Sequence, residues 1–342
     1  MTIRNALLIQ SEACDGLGSP FMGRLMAGLA QNWPDDSVIG RLCSQWEGDI
    51  GPSAASLPLR LAGGLHALVL NGEDADLQSV YPPKTTDDEI LIAKVLDAME
   101  RHSTFLVDWM QSAPQTNEVR RSAVMIAAAQ QLATRFDLPF VTSELGASAG
   151  LNLNWDHFAL ETDQGRLGPD AAALTLNPTW RGAFPAPGPV HVAERAGVDL
   201  NPLDPSRAED AQRLLAYLWP DQPFRADLTR AAIAIQRTEV AKSDAIDWLQ
   251  TRLSSVPQGH IHLIYHTIAW QYFPAQAQAR GTKMIQAQGA RATSDTPLAW
   301  LQYEADGHSP GAGIVLRLWP GDLVIPLGRA DFHGRWVDWT AG

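Results

Sequence analysis

Cysteine is almost absent: Cys14 and Cys43 are the only two in 342 residues. Two thiols cannot build a disulfide framework, and no Cys-x-x-Cys pair is present, so no metal site is expected and a reducing, cytoplasmic setting is. Basic residues are also short. Lys and Arg number 26 against 38 Asp and Glu, a formal charge of −12. A phosphate-backbone surface normally needs a basic excess, so no nucleic-acid partner is expected. No apolar run approaches the ~18 residues of a membrane span, and Ala6–Ile9 is too short for a signal core, so neither a membrane nor a leader is expected. Charged residues make up only 19% while hydrophobic ones reach 45%, which excludes a mostly disordered chain. The length allows one large domain or two modest ones; oligomeric state is not legible.

What is present divides at Leu138. Residues 1–136 carry helical periodicity, read as a helical N-terminal cap. Ser19-Pro20 supplies an N-cap and a first-turn proline ahead of Phe21, Leu25 and Leu29. Further helices are expected over Ala62–Leu70, from near Asp87, and from near Asn117. After Leu138, strand and helix patterns alternate. Strands are expected at Phe140–Thr142, Val192–Asp199, Glu239–Lys242, Ile261–His266 and Leu298–Tyr303. Helices are expected to begin at Leu151 and to cover Ser206–Leu218, Asp244–Leu253 and Ala275–Gln288. Such alternation implies an α/β fold with a mostly parallel sheet. Pro320-Gly321-Asp322 between Ile314–Trp319 and Leu323–Leu327 adds an antiparallel edge hairpin, and Trp336–Trp339 reads as a last strand. Gly and Pro crowd residues 163–190, so a hairpin insertion is expected at about 157–190, inside a domain running over 137–342.

In an open parallel sheet, ligands sit beyond the carboxyl ends of the strands. Glu144-Leu145-Gly146-Ala147-Ser148-Ala149-Gly150 falls there, where the first strand meets its helix. Small side chains at Gly146, Ala147, Ser148 and Gly150 let a backbone approach a ligand, and the helix start behind them offers unpaired N–H groups. The G-x-S-x-G spacing is not the G-x-G-x-x-G of a pyrophosphate cradle. Asp199 ends a later strand and suits two ribose hydroxyls; Asp244 and Ala245 follow another. Either aspartate is equally suited to capping a helix.

The stretch Glu144–Gly150 resembles the first motif of class I S-adenosylmethionine-dependent methyltransferases, with Ser148 in place of the middle glycine. Val240–Leu249 is similar to their segment in which an Asp contacts the adenine amino group, and Ile261–His266 to their fourth strand. The resemblance implies a Rossmann-like sheet and S-adenosylmethionine as cofactor, held by Glu144, Gly146, Ala147, Ser148, Gly150, Asp199, Asp244 and Ala245. It also implies methyl transfer to a small molecule or an exposed side chain. Tyr265 and His266 then face the transferred methyl, with His266 a candidate base because imidazole titrates near neutrality. Trp270 and Tyr272 are candidate lid or stacking residues, or core. Asn117 and Glu118, after Pro114, are candidates for binding the cofactor's amino-acid end or the acceptor, or simply a capped helix start. A serine hydrolase is the rival reading, since Gly146-Ala147-Ser148-Ala149-Gly150 also fits a nucleophile elbow, with Asp306 and His333 or His308 completing a triad. A non-catalytic adenosyl-binding protein is the third. Over the whole chain, Pro114–Val119, Glu144–Asn152, Tyr265–Thr267 with Trp270–Tyr272, and His333–Trp336 are similar to a family of uncharacterised bacterial proteins, domain of unknown function 2332. That resemblance implies one integrated unit and no particular activity.

Overall fold

The structure is a computed structural model and describes residues 1–52, 54–254 and 257–341. The chain forms two compact units, Met1–Thr116 with Arg207–Asp227, and Asn117–Ser206 with Leu228–Gly342.

The first unit is helical: α1 (Ile3–Gly16), α2 (Pro20–Gln31), α3 (Val38–Ser44), α4 (Leu57–Asn71), α5 (Ala75–Gln78), α6 (Asp88–Arg101), α7 (Ser103–Met110) and α9 (Ala208–Ala216). The expected cap on α2 is there, the Ser19 hydroxyl accepting the Met22 N–H at 3.3 Å. Helix α4 stops at Gly72, whose left-handed φ of +68° ends it without steric penalty. Leu7, Leu25, Leu29, Leu61, Leu65 and Val95 are among the residues of one buried core.

The second unit carries the sheet. Its strands are β1 (Phe140–Leu145), β2 (Phe158–Thr162), β3 (Gly165–Leu167), β4 (Leu174–Leu176), β5 (Thr179–Gly182), β6 (Val192–Asp199), β7 (Val240–Lys242), β8 (Ile261–Thr267), β9 (Leu298–Glu304), β10 (Ala312–Trp319), β11 (Leu323–Ala330) and β12 (Trp336–Trp339). Helices α8 (Ser122–Phe136), α11 (Ala245–Leu253) and α12 (Ala275–Gly289) accompany them, and α10 (Pro223–Ile235) leads back into this unit. Nine strands pair in the order β5-β12-β11-β10-β9-β8-β1-β6-β7. From β9 to β7 every pairing is parallel, so the fold is α/β with a large, mostly parallel sheet. β1 and β8 are buried along their whole length, as central strands covered on both faces must be.

Three expectations change. The helical unit ends at Thr116 rather than 136, and 207–227 returns to it. Helix α8 belongs with the sheet because Ala123 to Ala129 are buried all round it; periodicity shows that a helix is buried, not which body buries it. Leu151–His157 is a 3-10 segment rather than an α-helix. Asn152 and Asn154 spend their side chains on Ser122, Glu118 and Gln236, the competition that makes asparagine a poor helix former. The insertion holds the expected hairpin, β2–β3, in a separate three-stranded sheet with β4, but it also sends β5 to the edge of the large sheet. The β10–β11 hairpin therefore lies inside the sheet, not at its border.

Candidate functional site

β1 lies between β6 and β8, and its carboxyl end marks the point where the strand order reverses, the usual place for a crevice in such sheets. The chain turns there through Gly146 (φ +75°), Ser148 (φ +54°) and Gly150 (φ +72°). The turn is stitched to β6: the N–H groups of Gly146 and Ala147 donate to the Val198 carbonyl at 2.9 and 3.0 Å. The Ser148 N–H donates to Asp199 Oδ2 at 2.9 Å, and the Asn201 N–H to Oδ1 at 2.9 Å. Asp199 is half-buried, and each of its oxygens retains a further lone pair.

The room left by the small residues is filled by the protein itself. A Cβ on Gly146 would lie 2.6 Å from that of Ala269, and one on Gly150 would meet Gln236 and Val240. Ala147 fills the space above Gly197. These positions draw the turn tightly between β6, β7 and the segment after β8, rather than opening it.

Asp244 is the N-cap of α11. Its Oδ1 accepts the N–H groups of Ile246 and Asp247 at 2.9 and 3.0 Å, which leaves Oδ2 over. Ser243 N–H donates to the Asp199 carbonyl, so both acids stand at the ends of neighbouring strands. Ala245 is buried in the core beneath the cap.

Glu144 is 2% exposed. Burial pushes its carboxyl well above the usual carboxylate range, and the charge of Asp199 pushes the same way, against the Tyr265 hydroxyl and the Arg121 guanidinium. Tyr265, its register partner on β8, is raised by burial as well and keeps its proton. The Tyr265 hydroxyl lies 3.4 Å from Glu144 Oε2 and 3.2 Å from the Asn152 carbonyl. It has one hydrogen to give. The hydroxyl reaches both acceptors, the Asn152 carbonyl being the nearer.

His266 is not a base facing the crevice. It is fully buried; its Nδ1 lies 2.7 Å from Glu304 Oε1, and its Nε2 accepts the Trp300 indole N–H at 3.0 Å. An indole nitrogen only donates, so Nε2 is the accepting nitrogen and Nδ1 the one that faces Glu304. No lone pair is left for an acceptor. The contact with Glu304 is a hydrogen bond in which Nδ1 faces the carboxylate. Trp270 stacks on this imidazole with ring centroids 4.8 Å apart and belongs to the core with Trp300 and Trp319; it is not a lid. Tyr272 is 55% exposed at the end of the same short turn. Glu304 anchors that turn, accepting the N–H groups of Ala269 and Trp270 at 2.9 and 3.0 Å.

Asn117 reaches the turn. Its Oδ1 accepts the Leu151 N–H at 2.8 Å, while its Nδ2 has no partner among the described residues. Glu118 is buried and binds Arg120, its Oε1 accepting from Nε at 3.1 Å. Sequence reasoning missed Arg121, which is 7% exposed and donates to the carbonyls of Thr267 and Phe332 at 3.0 and 2.9 Å. It also missed Asn152, Trp300 and Glu304. The only signal for Arg121 was a run of polar residues directly ahead of an alanine-rich apolar helix.

The triad required of a serine hydrolase is not assembled. Ser148 leans toward β6, whereas Asp306 follows β9. Three strand spacings separate those ends, on the order of 14 Å. Arg329 grips both oxygens of Asp306 at 2.6 and 3.1 Å, and His333 N–H is turned to Asp331. Among the described residues no group of three or more His, Cys, Asp or Glu could hold a metal ion, and no helix is long and apolar enough to cross a membrane.

No curated protein and no solved structure matches the chain. Residues 4–339, nearly the whole length, match the family described as uncharacterized proteins conserved in bacteria (DUF2332), and the chain belongs to that family.

Proposed function

We propose that the carboxyl edge of β7, β6, β1 and β8 binds the adenosyl part of S-adenosylmethionine, and that the protein is a methyltransferase acting on a small-molecule or side-chain acceptor. The observation that carries this reading is Asp199: a half-buried carboxylate at the end of the strand beside β1, fixed by two backbone N–H groups with lone pairs to spare. That is the acceptor geometry a ribose diol needs. Asp244 adds a second acid one strand further out, whose Oδ2 would take the adenine amino group while Oδ1 keeps the cap. The order β7-β6-β1-β8-β9 puts the Glu144–Gly150 turn at the reversal point. Bound there, the cofactor supplies an electrophilic methyl group; the chain supplies position. With His266 closed off, the acceptors favoured are those already nucleophilic at neutral pH, without loss of a proton.

The test is thermal unfolding with S-adenosylmethionine and S-adenosylhomocysteine. At 100 times its dissociation constant a ligand stabilises by about 2.7 kcal/mol. Asp199→Ala should lose most of that shift. No shift with either ligand would sink the reading. Binding without turnover on any acceptor would leave an adenosyl-binding protein.

One observation favours the hydrolase: Ser148 has the positive φ expected of a nucleophile on a strand-to-helix turn. Labelling by a fluorophosphonate that disappears in Ser148→Ala would establish it, and absence of labelling would remove it.

A further inference from the structure

We propose that Arg121 is the anchor of a binding site for a small monocarboxylate, at the carboxyl ends of β8 and β9. Arg120 and Arg335, its neighbours, each hold an acid: Arg120 binds Glu118 at 3.1 Å and Arg335 binds Asp331 at 2.7 Å. Arg121 is as buried as Arg120, yet no carboxylate of the described residues lies within ion-pair distance of it. Its partners are two backbone carbonyls, Thr267 at the end of β8 and Phe332 in the loop after β11. A buried guanidinium without a counter-ion is costly, and natural sequences normally supply one.

The nearby acids do not fill the gap. Glu118 binds Arg120 through Oε1 and Asp331 binds Arg335, and neither forms an ion pair with Arg121. Glu144, near the end of β1, is within reach of the Arg121 field but makes no ion pair with it, and burial pushes its carboxyl well above the usual carboxylate range. Tyr303, at the end of β9, gives its hydroxyl to the Asp331 carbonyl. Of these three guanidinium groups two are ion-paired, and Arg121 is the one left without a carboxylate at ion-pair distance. His333 is half-buried and sits in the same loop as Phe332.

The donors left over have the right shape. Nε and one Nη1 hydrogen of Arg121 serve the carbonyls. The other Nη1 hydrogen and both on Nη2 remain, and a guanidinium with hydrogens left on both terminal nitrogens can receive a carboxylate through two bonds. Arg121 also immediately precedes α8, a fifteen-residue helix whose positive end adds to the attraction. One guanidinium left without an ion pair matches a carboxylate; a phosphate brings about −1.5 to −2 at neutral pH and would be under-neutralised. The site lies on the β8–β9 side, across β1 from Asp199, so it stands on the acceptor side of the proposed cofactor but does not depend on that cofactor.

The experiment uses the full chain in calorimetric titration and thermal unfolding at constant ionic strength. Acetate, butyrate and benzoate are each compared with acetamide, butyramide and benzamide. The acids should bind saturably and the amides not. In Arg121→Gln the acids should bind at least about tenfold more weakly, the worth of one hydrogen-bonded charge. Arg121→Lys, which keeps the charge but not the fork, should fall between. Acids and amides behaving alike in the native protein would overturn the proposal even if Arg121→Gln does not fold. So would an undiminished acid response in a folded Arg121→Gln, or inorganic phosphate binding more tightly than every carboxylate. 5′-Methylthioadenosine, which has no carboxylate, separates the two readings: its binding without that of the acids sinks this proposal alone, and the reverse sinks the adenosyl reading alone.

Discussion

Two glutamates end two strands of one sheet, and their surroundings differ in kind. Glu304, the last residue of β9, is met by His266 Nδ1 and by the N–H groups of Ala269 and Trp270. Burial pushes its carboxyl up, but these donors outweigh burial and hold it below the usual range. Glu144, the penultimate residue of β1, has one weak contact with Tyr265, and there burial prevails. The region around Glu304 is closed: each polar group in it is consumed by another. The region around β1 is not: Asp199 keeps lone pairs, Asn117 keeps an amide N–H₂, and Arg121 keeps most of its fork. A buried polar cluster that satisfies itself is scaffold, and one with matched remainders is built for something else.

If the first region is scaffold, breaking it should cost stability most. Glu304→Ala leaves the N–H groups of Ala269, Trp270 and Gln271 and the His266 imidazole without their acceptor. The loss expected is about 3–5 kcal/mol, the range for removing one member of a buried charged network. Urea unfolding measures it. A loss under about 1 kcal/mol would mean that the turn carrying Trp270 and Tyr272 is held by other means.

The same contrast shows what could be read in the sequence. The alternation of strands and helices was legible because buried parallel strands are apolar runs bounded by turn residues. The turn after β1 and Asp199 were legible as a small-residue stretch and an acid ending a strand. His266 was misread because β8 is buried on both faces, so its pattern does not say which side chain meets solvent. The partners that close it, Trp300 and Glu304, lie on the next strand, 34 and 38 residues away. Arg121 was passed over because it follows Arg120 directly, and the difference between them is set by Thr267 and Phe332, far along the chain.

The two glutamates should also respond to pH with opposite signs. A depressed carboxyl such as Glu304 contributes stability above the unfolded value of about 4.3, lost as pH falls through its folded value. A raised one such as Glu144 contributes below about 4.3, and that contribution is lost as pH rises toward its folded value. Glu144→Gln removes the second dependence. Relative to wild type it should gain up to about 1.4 kcal/mol per pH unit above pH 4.3, until the folded carboxyl ionises. Unfolding free energies from pH 5 to 8 test this. A constant difference would show that Glu144 is ionised in the fold and that Arg121 already has its counter-ion.

The smallest effect on stability, and the most selective one, belongs to Asp244. Asparagine caps a helix as well as aspartate, so Asp244→Asn should change unfolding by no more than a few tenths of a kcal/mol. One carbonyl oxygen then takes the place of Oδ1 toward Ile246 and Asp247. The other position becomes an amide N–H₂, which repels an adenine amino group where Oδ2 would accept it. S-Adenosylhomocysteine should therefore bind about tenfold more weakly, about 1.4 kcal/mol. Unaltered binding in this variant, with binding lost in Asp199→Ala, would confine the ligand to β6 and β1 and leave Asp244 as a helix cap alone. The pair of substitutions thus measures how far along the edge, from β1 toward β7, the unsatisfied groups act together.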